Sequence, residues 1–242
     1  MRILTRMAVV AASMVVLTGC TGDGAQAENH IADLPAATVV EKSLAALKAV
    51  PSYRVGIHRD KAESRLSITV AVVGTNLRGT VARGEASSEI LKVGANYYFR
   101  PDEAFWRTVI DEPKRADAYA AFAGDRWIRV EKDHNLLKTA GLDGVYLFAE
   151  RNALNGVIPA QMSLGERKEV GGVPTVTVLD SRNSTPSGTR ISVATTGEPY
   201  PVRWDFGLGT VADFTGFGTT SDPIDEPVPA DIVALQTVLR SK

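Results

Sequence analysis

Apolar and polar positions divide the chain into a leading apolar run, one helix, a long series of strands and a helical interruption. Met7 to Leu17 is uncharged and almost wholly apolar. Further on, Ala36, Val39, Val40, Leu44, Leu47 and Val50 recur at helical spacing on one face. Asp33 and Pro35 suit the start of that helix and Pro51 ends it. Strand patterns begin at Tyr53. Leu66, Ile68, Val70 and Val72 point one way while Arg65, Ser67 and Thr69 point the other, so residues 65–73 read as a half-buried strand. Leu77, Gly79 and Val81 continue on one face, and strands are predicted at 87–93 and 96–100. Gly74-Thr75-Asn76, Arg83-Gly84-Glu85 and Gly94-Ala95 supply turns at the spacing of an antiparallel meander.

The middle of the chain changes character. Residues 115–123 are Ala-rich and stop at Gly124, which predicts a helix. Residues 126–131 read as a strand with Ile128 and Val130 on one face, and 135–140 and 145–154 read as helices. Strand signals return at 157–169, 173–179, 188–193, 201–206 and 210–217, and 230–239 reads as a closing helix. A helix, a strand block, a helical block and a second strand block fit one α+β domain over residues 33–242. A sheet of roughly ten strands must curl. Helices on its concave side would cover an apolar space.

The N-terminus is an address. Arg2 and Arg6 precede the apolar run, and Leu17-Thr18-Gly19-Cys20 matches the lipobox of bacterial lipoproteins. The run is too short to cross a bilayer as a helix, which takes roughly 20 apolar residues. Residues 1–19 are therefore expected to be a cleaved signal peptide, with a diacylglycerol and further acyl chain on Cys20. Each buried CH₂ contributes about 0.8 kcal/mol, so two or three chains anchor firmly. Residues 21–32 are small and polar and read as a flexible tether, which together with Cys20 spans 20–32. These features place the mature protein on the extracytoplasmic face of the cell membrane.

Composition narrows the chemistry. The 242 residues carry 27 Lys and Arg against 28 Asp and Glu, a formal charge of −1, so no basic excess draws in nucleic acid. One cysteine and three scattered histidines (His30, His58, His134) offer no disulfide, thiolate cluster or HExxH site. No phosphate loop, GxSxG elbow or SxxK pair is present. Residues 207–212 match GxGxxA, but a strand follows, so the motif reads as a hairpin turn. The acidic clusters at Asp102-Glu103, Asp111-Glu112 and 222–226 read as solvated surface, and His58 and His134 as surface or capping residues. No catalysis, metal or cofactor is expected.

Several longer stretches carry a resemblance. Ala45-Ala46-Leu47-Lys48-Ala49-Val50-Pro51-Ser52-Tyr53 closes the first helix, and Glu89-Ile90-Leu91-Lys92-Val93-Gly94 leads into Tyr97-Tyr98-Phe99-Arg100. Gly124-Asp125-Arg126-Trp127-Ile128-Arg129-Val130 follows the Ala-rich segment. Gly197-Glu198-Pro199-Tyr200-Pro201-Val202-Arg203 and Asp213-Phe214-Thr215-Gly216-Phe217-Gly218 come late. With Cys20 ahead of them, these motifs resemble actinobacterial lipoproteins of the LolA-like superfamily, in the LppX/LprG-like group. The resemblance implies an incomplete β-barrel, a large curled antiparallel sheet with helices packed on its concave side around a hydrophobic cavity. It also implies binding of acylated lipids and their movement through the envelope. Only Cys20 transfers as a specific functional residue.

Alternation in the sequence itself supplies the candidate cavity wall. Its members are Leu66, Ile68, Val70, Val72, Leu77, Val81, Tyr97, Phe105, Trp106, Leu147, Phe148, Val176, Val178, Ile191, Val193, Trp204 and Phe206. The leading reading is a membrane-anchored lipoprotein carrying a lipid or glycolipid, with an envelope transporter as a candidate partner. The alternative is an envelope scaffold or accessory interaction protein with a packed core, because a core and a cavity wall look alike in one dimension. An envelope hydrolase is the third reading.

Overall fold

The computed structural model describes residues 26–59, 65–151, 153–158, 160–182, 188–219 and 222–241. The lipobox, Cys20 and residues 1–25 lie outside the described residues. Helix α1 spans Ala36–Ala49, followed by β1 (Ser52–Arg59), β2 (Leu66–Val73), β3 (Asn76–Arg83), β4 (Ala86–Val93) and β5 (Asn96–Pro101). Helices α2 (Glu103–Val109) and α3 (Pro113–Ala123) precede β6 (Trp127–Val130). Short helices α4 (Asn135–Ala140) and α5 (Asp143–Tyr146) come next. The second strand block is β7 (Met162–Val170), β8 (Val173–Asp180), β9 (Arg190–Ala194), β10 (Pro201–Asp205) and β11 (Thr210–Thr215). The chain closes with β12 (Ile232–Ala234) and α6 (Leu235–Arg240).

All twelve strands form one sheet in the order β12-β6-β5-β4-β3-β2-β1-β11-β10-β9-β8-β7. Every pairing is antiparallel except β12 with β6. The two strand blocks join where β1 pairs β11, with Val55 opposite Phe214 and Ile57 opposite Ala212. The meander β2 to β5 runs through two-residue loops. Gly74 and Gly94 take the first loop position at φ 60° and 56°. That is the type II′ arrangement, whose twist matches the strands and which only glycine enters without strain.

Cross-strand partners share a face, so the registers fix which side chains meet. Tyr53 lies opposite Val72, Val55 opposite Val70, Ile68 opposite Val81 and Ile90 opposite Phe99. These residues and the inward faces of β8 to β11 belong to one buried apolar cluster. The outer face carries Arg54, His58, Thr69, Arg78 and Thr80 as exposed residues. A smaller cluster of Leu91, Tyr98 and Trp127 sits on the outer face with Ile224 and Ile232 against it.

The helical segments line the inner face. Helix α1 crosses β7 to β10, and α2 packs on β4, β5 and α3. Between them runs a strap, the described residues of 131–161. It leaves β6 near one edge of the sheet and reaches β7 at the other edge, and its Tyr146 and Phe148 pack on the inward-facing Tyr97 and Phe214 of the concave side. The expected fold class, an α+β curled sheet with helices on its concave side, is the fold of the chain.

Four local expectations are corrected. The helix expected at 145–154 breaks up: α5 ends at Tyr146 and turns follow, with Phe148 and Ala149 donating to carbonyls three residues back. Long-range bonds compete with a continuous helix there, because Tyr53 Oη donates to the Phe148 carbonyl. The closing helix expected at 230–239 is a 3₁₀ turn, a parallel strand and a short helix. The open edge of β6 recruits Ile232 to Ala234, a segment led by two β-branched residues. Helix α2 was unforeseen. Asp102 caps it, its side chain accepting from Phe105 N, and Phe105, Trp106 and Val109 form its buried face. Finally, the described part of the expected tether is not free. Residues 26–32 are docked: Asn29 N donates to the Thr195 carbonyl, Asn29 Nδ2 donates to the Ala194 and Gly197 carbonyls, and Glu28 bridges Thr196. Ile31 and Ala32 are buried in the main cluster.

Candidate functional site

The candidate site is the apolar interior that α1, α2 and the strap cover on the concave face. Fourteen of the predicted wall residues are buried members of the main cluster: Ile68, Val70, Val72, Leu77, Val81, Tyr97, Phe105, Trp106, Phe148, Val176, Val178, Ile191, Val193 and Trp204. Leu66 and Phe206 are half-buried and pack against it. Leu147 is half-buried on the strap. On the strands the buried positions alternate because successive side chains point to opposite faces, whereas Phe105 and Trp106 lie on α2 and Leu147 and Phe148 on the strap.

Aromatic contacts organise the floor. On the α2 side Trp106 meets Phe99 at 5.9 Å and Tyr119 at 5.7 Å, both edge-on. Beneath the strap, Phe148 meets Phe214 edge-on at 5.9 Å, and Tyr146 meets Tyr97 edge-on at 4.9 Å. Trp204 stacks on Phe206 at 5.3 Å. Trp106, Trp204, Tyr53, Phe99 and Phe105 are all fully buried. With the strap in place, side chains fill the space around these five. Trp106 Nε1, Trp204 Nε1 and Ser43 Oγ are buried without a hydrogen-bond partner. A buried donor left unpaired costs about 1–3 kcal/mol.

Polar bonds hold the middle of the strap, between Ala140 and Arg151. Tyr53 Oη donates to the Phe148 carbonyl, and Tyr146 Oη donates to the Tyr98 carbonyl at 3.0 Å. Arg83 donates to the Ala140 carbonyl. Arg151 Nη1 donates to the Lys48 and Val50 carbonyls at 2.8 and 2.6 Å, capping the end of α1, and its guanidinium lies 5.3 Å over the Tyr53 ring. Glu150 accepts from Tyr97 Oη and from Lys132 Nζ, the latter at 2.6 Å.

These environments shift the titrating groups. Burial pushes the Tyr53 and Tyr146 hydroxyls far above the usual phenol range, so they remain donors. Burial, then the Glu150 carboxylate, does the same for Tyr97. Tyr98 is pushed up to about 12 by burial and by its bond to Glu226. Burial favours the neutral form of Glu150, but the bonds from Lys132 and Tyr97 and the nearby ammonium charges outweigh it and lower its pKa. Lys92 is lowered, chiefly by desolvation.

Three clefts open along one rim of the sheet. The first, about 460 Å³, includes Asn96, Arg129, Lys132 and Gln236 in its wall. The second, about 750 Å³, lies between Lys48, Gly74, Thr75, Lys92 and residues 149–151. The third, about 650 Å³, lies between Gln26, Val173, Tyr200 and Phe217. Of the predicted wall, Tyr97 borders one of these clefts and the other sixteen residues border none of the three. Sequence reasoning missed the cationic residues Lys48, Lys92 and Arg151. Only Lys92 gave a signal, as a charge at an inward position of β4.

The remaining chemical candidates take structural roles. His134 caps α4, its Nδ1 accepting from Leu136 N at 3.1 Å. Asp102 caps α2, and Glu226 accepts from Tyr98 Oη at 2.7 Å. Residues 207–209 form the turn between β10 and β11, as expected. Among the described residues no group of three or more metal-ligating side chains is assembled, and no helix is long and apolar enough to cross a membrane.

No family model matches the sequence, and no curated protein matches it. Solved structures do. The chain is similar to LprF from Mycobacterium bovis, with 14% identity and a TM-score of 0.47 over 79% of this chain and 96% of that one. It is similar to the lipoprotein LppX from Mycobacterium tuberculosis, with 13% identity and a TM-score of 0.45 over 78% and 98%. It is also similar to an uncharacterized conserved protein from Thermus thermophilus, with 7% identity and a TM-score of 0.42 over 82% and 98%.

Proposed function

We propose that the protein is a membrane-anchored extracytoplasmic lipoprotein that holds a lipid or glycolipid between its curled sheet and the strap, by solvation alone and without bond-making. One observation carries this reading. The segment that runs between α1 and α2 on the concave face is built from short helical pieces, buries Leu137, Val145, Phe148 and Leu154, and is held by polar bonds in its middle, at Ala140 and Phe148. Such a roof lifts without unwinding a long helix. Displaced, it exposes Val72, Leu77, Tyr97 and Phe214 as an apolar floor. An acyl chain laid there gains about 25 cal/mol for each Å² removed from water, so several hundred Å² yields several kcal/mol. The unpartnered indole N–H of Trp204 offers a hydrogen bond that an ester carbonyl accepts.

The scaffold reading has its own support, the filled space around Trp106 and Trp204. The three tryptophans separate the two readings, since Trp106 and Trp204 lie inside and Trp127 lies on the outer face. Single-tryptophan variants of the lipidated protein would be mixed with phospholipid brominated on its acyl chains. Carriage predicts quenching of Trp106 and Trp204 and an unchanged Trp127. Equal emission from all three, with and without bromine, would establish the scaffold.

A further inference from the structure

Strand polarity gathers one set of connections on a single rim. β1, β3, β5, β8 and β10 start there, and β2, β4, β6, β7, β9 and β11 end there. The docked leader is on this rim as well, at the Thr195–Gly197 turn. Gln26 is six steps from Cys20, and a chain of that length reaches about 20 Å at most. The acyl anchor expected on Cys20 therefore keeps this rim near the bilayer surface. The second cleft opens on the same rim.

That cleft is cationic and joins the apolar interior. Lys48, Lys92 and Arg151 lie on its wall, and Glu150 is the single acid there among the described residues. Glu150 is already engaged by Tyr97 and Lys132. Lys92 is only 4% exposed and points to the concave side, opposite Leu77 and Tyr97. Its ammonium donates to the Thr75 and Gly94 carbonyls at 2.9 and 2.8 Å, and the Glu150 carboxylate offsets its burial only in part. Arg151 keeps a buried Nε with no partner. Buried cations are costly until an anion joins them. Directly beneath, the strap residues Phe148 and Ala149 enter the main apolar cluster.

We propose that this cleft receives the anionic phosphodiester headgroup of a membrane lipid, between Lys48, Lys92 and Arg151, while the acyl chains run under the strap. The site deepens the carrier reading and rests on it. Selection would favour lipids of net negative charge over zwitterionic lipids with the same chains, because a choline ammonium would meet three cations.

The test is native mass spectrometry of the full lipidated protein in non-ionic detergent, offered equal amounts of phosphatidylglycerol and phosphatidylcholine with matched chains. The expected preference for phosphatidylglycerol is about tenfold, the ratio that corresponds to 1.4 kcal/mol. Lys48→Glu, at an exposed position, should reduce that preference, and Lys92→Met should abolish it while total uptake persists. Equal uptake of both lipids by the unaltered protein overturns the headgroup site and leaves the carrier reading standing. A preference that survives both substitutions overturns the assignment to this cleft. Glycerol 3-phosphate competing as effectively as phosphatidylglycerol would make it a site for free phosphate esters and overturn the lipid source. No uptake of either lipid overturns the site and the carrier reading together.

Discussion

Two coverings lie on the same concave face and are built differently. The α2–α3 pair consists of regular helices, one capped by Asp102 and both pinned through Trp106 to Phe99 and Tyr119. Its backbone bonds are mostly internal, so it leaves the sheet only if its large aromatic anchors do. The strap consists of pieces of six residues or fewer, and side chains from outside satisfy several of its carbonyls. Helices this short are marginal alone and depend on tertiary contacts. The comparison assigns rigidity to α2–α3 and opening to the strap.

The largest expected effect tests the rigid side. Trp106→Ala should lower global stability by about 3–5 kcal/mol in denaturant melts, since it empties a fully buried site. A loss below 1 kcal/mol would show that α2 is as loosely held as the strap. Next, Tyr53→Phe strands the buried Phe148 carbonyl, at a cost of about 1–3 kcal/mol. Hydrogen exchange should speed up across residues 143–151 and stay unchanged in α3; uniform acceleration would erase the distinction between the two coverings.

A smaller effect is set by pH. The Glu150 carboxyl is lowered in the folded protein, so its contribution is present above the ordinary value of 4.5 and is lost as pH falls through the lower folded value. Strap exchange should therefore rise on acidification below 4.5 before that of α2 and α3, and Glu150→Gln should reproduce the change at neutral pH. Identical profiles for Glu150→Gln and the unaltered protein would remove this latch. The smallest effect belongs to the exposed pair Arg107–Asp117, which joins α2 to α3 at 2.9 Å. Asp117→Asn should leave the melting midpoint unchanged, because solvent and salt screen such a pair.

Local chemistry made much of this molecule legible. The inward faces of β2, β3, β8 and β9 follow from alternation, and the turns at Gly74 and Gly94 follow from the backbone those loops require. The strap was harder. Residues 145–154 carry a helix-like pattern, yet their carbonyls answer to Tyr53, which is 95 positions from Phe148. The cationic cleft was harder still, since Lys48, Lys92 and Arg151 belong to three distant segments.

By itself the sequence determined the strand faces, the hairpin turns of the meander and the lipobox motif, since each depends on steric or chemical rules that act within a few residues. Only the tertiary structure decided that residues 26–32 are docked, that β6 recruits a parallel partner, and that one rim brings the leader and three clefts together. The physical reason is that open sheet edges, unpaired carbonyls and buried charges must be satisfied somewhere, and a curled sheet brings their partners from anywhere in the chain.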